Sequence, residues 1–205
     1  MALQKVRYGF VKHVVIFLDK IPDGLTERKG FVEYVLLENA TISQAKRKAI
    51  EYADFDKIEY TCFYPINALL SEEDNWLPYL LNAHRYALNC GLVGILNQHT
   101  PYTINNVPTK DYEEYEVNIS ESGVEGFYML QTSKAIQYGC FTEEVDLSGF
   151  SDLLCAKKFQ INGQNNFYIQ NCFYYAHKLN SACIPVKKKQ YAELYTEQLK
   201  EIVKK

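Results

Sequence analysis

The sequence has no GxxxxGK[ST] run and no GxGxxG behind a strand pattern. Such loops wrap backbone N–H groups around phosphates, so a nucleotide cofactor in its usual motifs is not expected. Gly91-Leu92-Val93-Gly94 comes nearest but lacks the lysine and the third glycine. Serine hydrolysis lacks its GxSxG turn. Histidine is scarce, at 13, 84, 99 and 177, and forms neither HxxxH nor HExxH. No metal and no cofactor is therefore expected. No apolar stretch approaches the roughly 20 residues that cross a bilayer, so no membrane association is expected.

Excess charge is also missing. There are 22 Lys+Arg against 25 Asp+Glu, a net charge of −3, and the pI is near 5.9. Duplex-binding domains usually exceed a pI of about 9, so nucleic acid is not an expected partner. The small negative balance is equally too weak for a protein that imitates nucleic acid. Two basic runs, Lys46-Arg47-Lys48 and Lys187-Lys188-Lys189, lie beside acidic residues. They read as solvated helix faces.

Six cysteines stand at 62, 90, 140, 155, 172 and 183, none in CxxC spacing. The opening residues carry no signal-type apolar core: Val14 to Leu18 is short and ends at Asp19. The cysteines are therefore expected to be reduced, small buried hydrophobes in a cytoplasmic protein.

What remains is ordinary globular composition with one bias. The 205 residues are 47% hydrophobic and 23% charged, enough to bury a core. Tyrosine (17) and phenylalanine (11) far outnumber the single tryptophan. With frequent Lys, Asn and Ile, this is the signature of AT-rich codons. A phage or viral source fits, placing the chain in the host cytoplasm or virion.

Periodicity predicts one α+β domain over 1–205, with a mainly antiparallel or mixed sheet and about three helices. The only candidate boundary is the loop at 100–110, which holds Pro101, Asn105-Asn106 and Pro108. Val11–Asp19 and Phe31–Glu38 read as two strands around the Pro22-Asp23-Gly24 turn, pairing as a hairpin. A helix opens at Thr41, where Gln44 completes a capping box. Lys57–Tyr64 is a strand, giving a β-β-α-β opening. A second helix is expected from Ser71 through His84 and Leu88 toward Asn97, weakened by Gly91 and Gly94. Glu113–Ser120 and Glu125–Thr132 read as a hairpin. Lys157–Ile161 and Asn166–Tyr175 read as strands around Asn162-Gly163, with a helix start at Asn171 as the alternative. Gln190–Lys204 is an amphipathic C-terminal helix.

The sharpest catalytic reading is a thiol, which needs a neighbouring imidazole. Two places offer one. Asn89-Cys90-Gly91 lies near His84 and His99 in sequence, where a helix break would let the dipole favour a thiolate. Asn171-Cys172 lies at a possible helix start, with His13 in an early strand as its base. Lys12-His13-Val14-Val15 and the stretch from Asn171 to Pro185 together resemble circularly permuted papain-like hydrolases. The resemblance implies His13 and Cys172 as a catalytic pair, the cysteine opening a helix. It covers two short pieces of the chain. It departs where that family carries polar residues after the cysteine; here stand Phe173, Tyr174 and Tyr175.

Those aromatics, with Tyr168, make either a core strand or a protein-binding surface. The leading expectation is a non-enzymatic protein-interaction or structural/assembly protein whose partners are other proteins or further copies of itself. The alternative is a cysteine-dependent, papain-like hydrolase or transferase using Cys172 with His13, or Cys90 with His84 or His99.

Overall fold

The structure is a computed structural model describing residues 13–17, 28–29, 32–64, 68–70, 76–97, 117–119, 126–142 and 150–176. In the tail it describes 196–197, 199–200 and 202. The architecture is α+β. Two sheets are present among the described residues. The smaller holds β1 (His13–Phe17), β2 (Arg28–Lys29) and β3 (Val32–Leu36). In it β1 pairs β3 in parallel and β2 pairs β3 antiparallel. The expected hairpin of the first two long strands is thus a parallel pair, and a two-residue strand enters the expected β-β-α-β order.

Helix α1 (Ile42–Phe55) begins where its sequence said it would. Gln44 N–H donates to Thr41 Oγ1 at 3.1 Å, and Thr41 N–H donates to Gln44 Oε1 at 2.7 Å. Two of the orphan donors of the first turn are thereby satisfied. At the other end Ile58 N–H reaches Ala53 O at 2.8 Å and Lys57 N–H reaches Asp54 O at 3.0 Å. That is a Schellman turn, with Lys57 left-handed at φ 58°.

The larger sheet contains β4 (Tyr60–Phe63), β5 (Ala68–Leu70), β6 (Cys90–Asn97), β7 (Val117–Ile119), β8 (Tyr128–Gln131) and β9 (Asn165–Ala176). Its order is β4-β8-β6-β9-β5, with β7 also on β9. Only β6 and β9 run parallel; the other pairs are antiparallel. Strands from both sides of residues 100–110, themselves outside the described residues, enter this one sheet.

Three helices besides α1 accompany it: α2 (Trp76–Tyr86), α3 (Thr132–Gln137) and α4 (Phe150–Ile161). Alternation along the strands splits the core in two. Phe127, Met129, Phe167, Ile169, Val93 and Ile95 pack with Trp76, Leu77, Leu80 and Ala83 of α2. Tyr128, Leu130, Tyr168 and Leu92 pack with Ile50 of α1, Ala135 of α3, and Cys155, Ala156 and Phe159 of α4. The central strands are buried on both faces, so their sequences read as continuous apolar runs.

That burial explains where sequence reading erred. The helix expected to run toward Asn97 ends at Tyr86, and Asn89 turns left-handed at φ 53°. Residues 90–97 then form β6. Gly91 is required there: a Cβ would meet Asn166 Oδ1 at 2.6 Å. That oxygen accepts Leu92 N–H at 2.9 Å, while Asn166 Nδ2 donates to Ala156 O at 2.8 Å. Among the described residues of the Glu113–Ser120 and Glu125–Thr132 segments no mutual pairing is seen: β7 joins β9, and β8 joins β4 and β6. Lys157–Ile161 is the end of α4, not a strand. That helix is buried around most of its surface, at Ser151, Asp152, Leu154, Cys155, Ala156, Lys158 and Phe159, so no alternating or one-sided pattern marked it. Gly163, at φ 76°, closes α4 with the same Schellman bonds, Gln164 N–H to Phe159 O and Gly163 N–H to Gln160 O. In the tail the described residues are helical, with Leu199 and Ile202 half-buried and Thr196, Glu197 and Lys200 exposed. No helix among the described residues is long and apolar enough to cross a membrane.

Candidate functional site

The most concentrated polar chemistry among the described residues lies on the α1/α3/α4 face of the larger sheet. Lys46, expected on a solvated face, points inward. Its neighbours do behave as expected: Arg47 and Lys48 bond Glu51 at 3.2 and 3.3 Å and are about half exposed. Lys46 instead pairs with Asp152 of α4, and its side chain is 16% exposed. Its ammonium lies 5.3 to 5.8 Å from the ring centroids of Tyr128, Phe63 and Phe141. Ser43 and Ile50, three residues before and four after, are the buried residues of α1. The helical period thus carried the signal that the charge obscured.

Asp152 is the hub. Besides Lys46, it accepts Tyr128 O–H at 2.7 Å and Gly126 N–H at 3.1 Å. It sits in the first turn of α4, where the helix dipole favours a negative charge. Burial, and then the Asp152 charge, push the Tyr128 phenol well up, so it stays a donor. A carboxylate with three donors and a buried neutral phenol can organise structure, but neither is presented to a substrate.

A second cluster forms around Cys90. His84 Nε2 lies 3.1 Å from Met129 O. Since a carbonyl only accepts, that nitrogen carries the hydrogen. Burial lowers the His84 pKa to about 4, which keeps the ring neutral. The Tyr60 ring lies tilted against it, centroids 4.9 Å apart, its phenol raised to about 12 by burial and by Glu59. Lys134 Nζ donates to Gln164 Oε1 at 2.6 Å and to Cys90 O at 3.5 Å.

Cys90 itself is 7% exposed. Burial raises its thiol to about 12 although Lys134 pulls the other way. It opens a strand, not a helix, so no helix dipole supports a thiolate. No hydrogen bond joins it to His84. Burial likewise pushes Cys62 and Cys155 upward, with the neighbouring Cys140 adding to the effect at Cys155. These are thiols packed as hydrophobes. His99 lies outside the described residues.

Cys172 falls inside β9, and the helix start expected at Asn171 is strand. The β6–β9 ladder shifts register twice, once between Cys90 and Val93 and once beside Cys172. Between the pairs Ile95↔Ile169 and Leu96↔Phe173 the register slips, so Gln170, Asn171 and Cys172 bulge from the β6 ladder. His13 begins β1 in the other sheet; the side chains of His13 and Cys172 lie outside the described residues. Tyr168 is 3% exposed in the core, where no partner can reach it. Phe173, Tyr174 and Tyr175 continue β9, Phe173 against β6, Tyr174 against both β6 and β5, and Tyr175 against β5; their side chains also lie outside the described residues. Among the described residues no group of three His, Cys, Asp or Glu could hold a metal ion.

No protein-family model matches the chain, and no curated protein matches its sequence.

The neutral His84 makes stability pH-dependent. Between its unfolded pKa near 6.5 and its folded value near 4, the unfolded chain binds a proton that the folded chain refuses. Stability therefore falls as pH drops through that window, by about 3 kcal/mol in full. His84→Gln keeps a donor for Met129 O but cannot titrate. Urea unfolding across the window should show a flatter pH dependence in that variant; an unchanged slope would rule out His84 as its source.

Proposed function

We propose that the chain is a non-enzymatic protein-interaction or assembly protein. The observation that supports this is on its surface. Phe55, the last residue of α1, is 82% exposed, and Ile136 of α3 is 46% exposed. Together with Glu51, Asp54 and Lys57 they line a shallow groove of about 580 Å³. A phenylalanine so open to water contributes little to folding but offers a large apolar anchor to a partner. The imidazole and thiols expected to do chemistry around Cys90 are meanwhile buried or bonded internally. A phage or viral assembly role in host cytoplasm or virion fits the codon bias of the composition.

Phe55→Glu tests this reading. The variant should keep its urea midpoint, since the side chain is exposed. It should lose the self-association or the stoichiometric partner that wild type shows in light scattering and pull-down. A wild-type chain that stays monomeric and retains no partner contradicts the proposal.

A second reading has one observation in its favour. The bulge at Gln170–Cys172 is the kind of ladder break that re-aims a side chain beside an active site. On that reading Cys172, with His13 as base, is the nucleophile of a hydrolase or transferase. Carboxymethylation at neutral pH should then modify Cys172 faster than an unfolded-state thiol. Labelling no faster than that removes the reading.

A further inference from the structure

We propose that Cys140 and Cys155 are a thiol pair that a low-molecular-weight disulfide oxidises to an intrachain bond, tying the turn after α3 to the middle of α4. The pair lies in the interior and is independent of the interaction reading above.

The turn after α3 runs along α4 in a definite register. The Tyr138 ring meets Phe159 edge-on, with centroids 5.1 Å apart. Gly139 O accepts Lys158 Nζ at 2.5 Å. The Phe141 ring lies 5.8 Å from the ammonium of Lys46, which is paired with Asp152. Each step forward along 138–141 is therefore a step back along α4, from 159 through 158 to 152. The place opposite Cys140 falls to Cys155, one turn from both Phe159 and Asp152 on the same helix face. The two thiols share one core cluster and are 5% and 1% exposed. Burial pushes the Cys155 thiol well up, and Cys140 is the side chain that adds most to this. Cys140 is also held in place: its N–H bonds Ala135 O at 2.9 Å, closing the turn in which Gly139 is left-handed at φ 63°.

The other described thiols are placed apart. Cys62 and Cys90 pack on the opposite face of the larger sheet, in the core under α2. Cys62 is paired with Met129 of β8, and β8 stands between β4 and β6. About 10 Å therefore separates Cys62 from the strand that carries Cys90. A disulfide needs Cα atoms within about 7 Å, so these two do not bridge.

The reaction is thiol–disulfide exchange. Cys140 is the entry point, because it sits in a turn beside half-buried Gly139 and exposed Thr142, whereas Cys155 is enclosed within α4. Local opening of this turn admits the oxidant. The Cys140 thiolate attacks oxidised glutathione, forms a mixed disulfide and releases one glutathione thiol. The Cys155 sulfur then attacks that of Cys140, forming the intrachain bond and releasing the second. The protein gives up two electrons and two protons, and the oxidant's S–S bond takes them up as two thiols. Closing 140 to 155 fixes α3, which carries the exposed Ile136, to α4 one turn from Asp152.

The test is to incubate the full, folded chain with oxidised glutathione, alkylate the remaining thiols and map the links by peptide mass spectrometry. A Cys140–Cys155 peptide should be the main product. In urea the same treatment should scatter links among the six cysteines. Cys140→Ser should remove the link, and Cys62→Ser should leave it. The linked chain should unfold at higher urea, with a folding constant about a hundredfold larger for a loop of this length. Dithiothreitol should reverse the shift.

Recovery of Cys140 and Cys155 as free thiols, under conditions that cross-link the urea-unfolded chain, overturns the proposal. So does a stable glutathione adduct on Cys140 with no intrachain bond, or a main product in which either thiol is joined to Cys172 or Cys183. A link that leaves the urea midpoint unchanged or lowers it also overturns it, because the bond would then form at the expense of the α3–α4 packing.

Discussion

The buried carboxylate of Asp152 is the constraint on which one whole face of the larger sheet depends. It joins α4, which carries it, to Lys46 of α1 and to Gly126 and Tyr128 at the start of β8. An ion pair this enclosed yields little net stability compared with well-packed apolar residues, because both charges lose their water. Removing one partner is a different matter: the stranded charge costs about 3–5 kcal/mol. The pair therefore acts chiefly on geometry. It allows one roll of α1 against the sheet and penalises the others.

That roll connects the interior to the surface. Phe55 lies nine residues after Lys46, about two and a half helical turns. When Lys46 points into its aromatic box, Phe55 must point away from the sheet, and it is 82% exposed. Ile50, four residues after Lys46, is turned inward at 4%. The same helix thus supplies a buried cation, a core isoleucine and an exposed phenylalanine, in an order set by its period. The polar groups of the interior hold the sheet's helices in place. Among the described residues, large apolar side chains are exposed at the end of α1 and along α3, and also at Tyr86 and Leu88 after α2.

Local signals in the sequence were legible and long-range ones were not. The capping box at Thr41 fixed the start of α1 because both of its bonds lie within four residues. Strand β9 was legible from its apolar and aromatic run. Residues 90–97 were misread because the helix was carried past Leu88 in spite of Gly91 and Gly94, whereas Gly91 is there to admit the side chain of Asn166, distant in sequence. The end of α4 was misread because a helix buried around most of its surface shows no one-sided pattern. Parallel pairing of β1 with β3, and β7 on β9, depends on partners that no local pattern names. Cys90 and His84 drew notice for the chemistry their residue types allow, but burial decides their state and burial is a property of the fold. Lys46 was hidden inside a basic triplet whose other two members are exposed. The exposure of Phe55 had no local signal, although its distance from Lys46 follows from counting.

A double-mutant cycle on Lys46→Met and Asp152→Asn, read by urea unfolding at neutral pH, tests the organising role of the hub most directly. A coupling energy of about 2 kcal/mol is expected, with the double variant more stable than the sum of the single losses allows. Strictly additive losses would mean that the two side chains act independently and that the roll of α1 is set by something else.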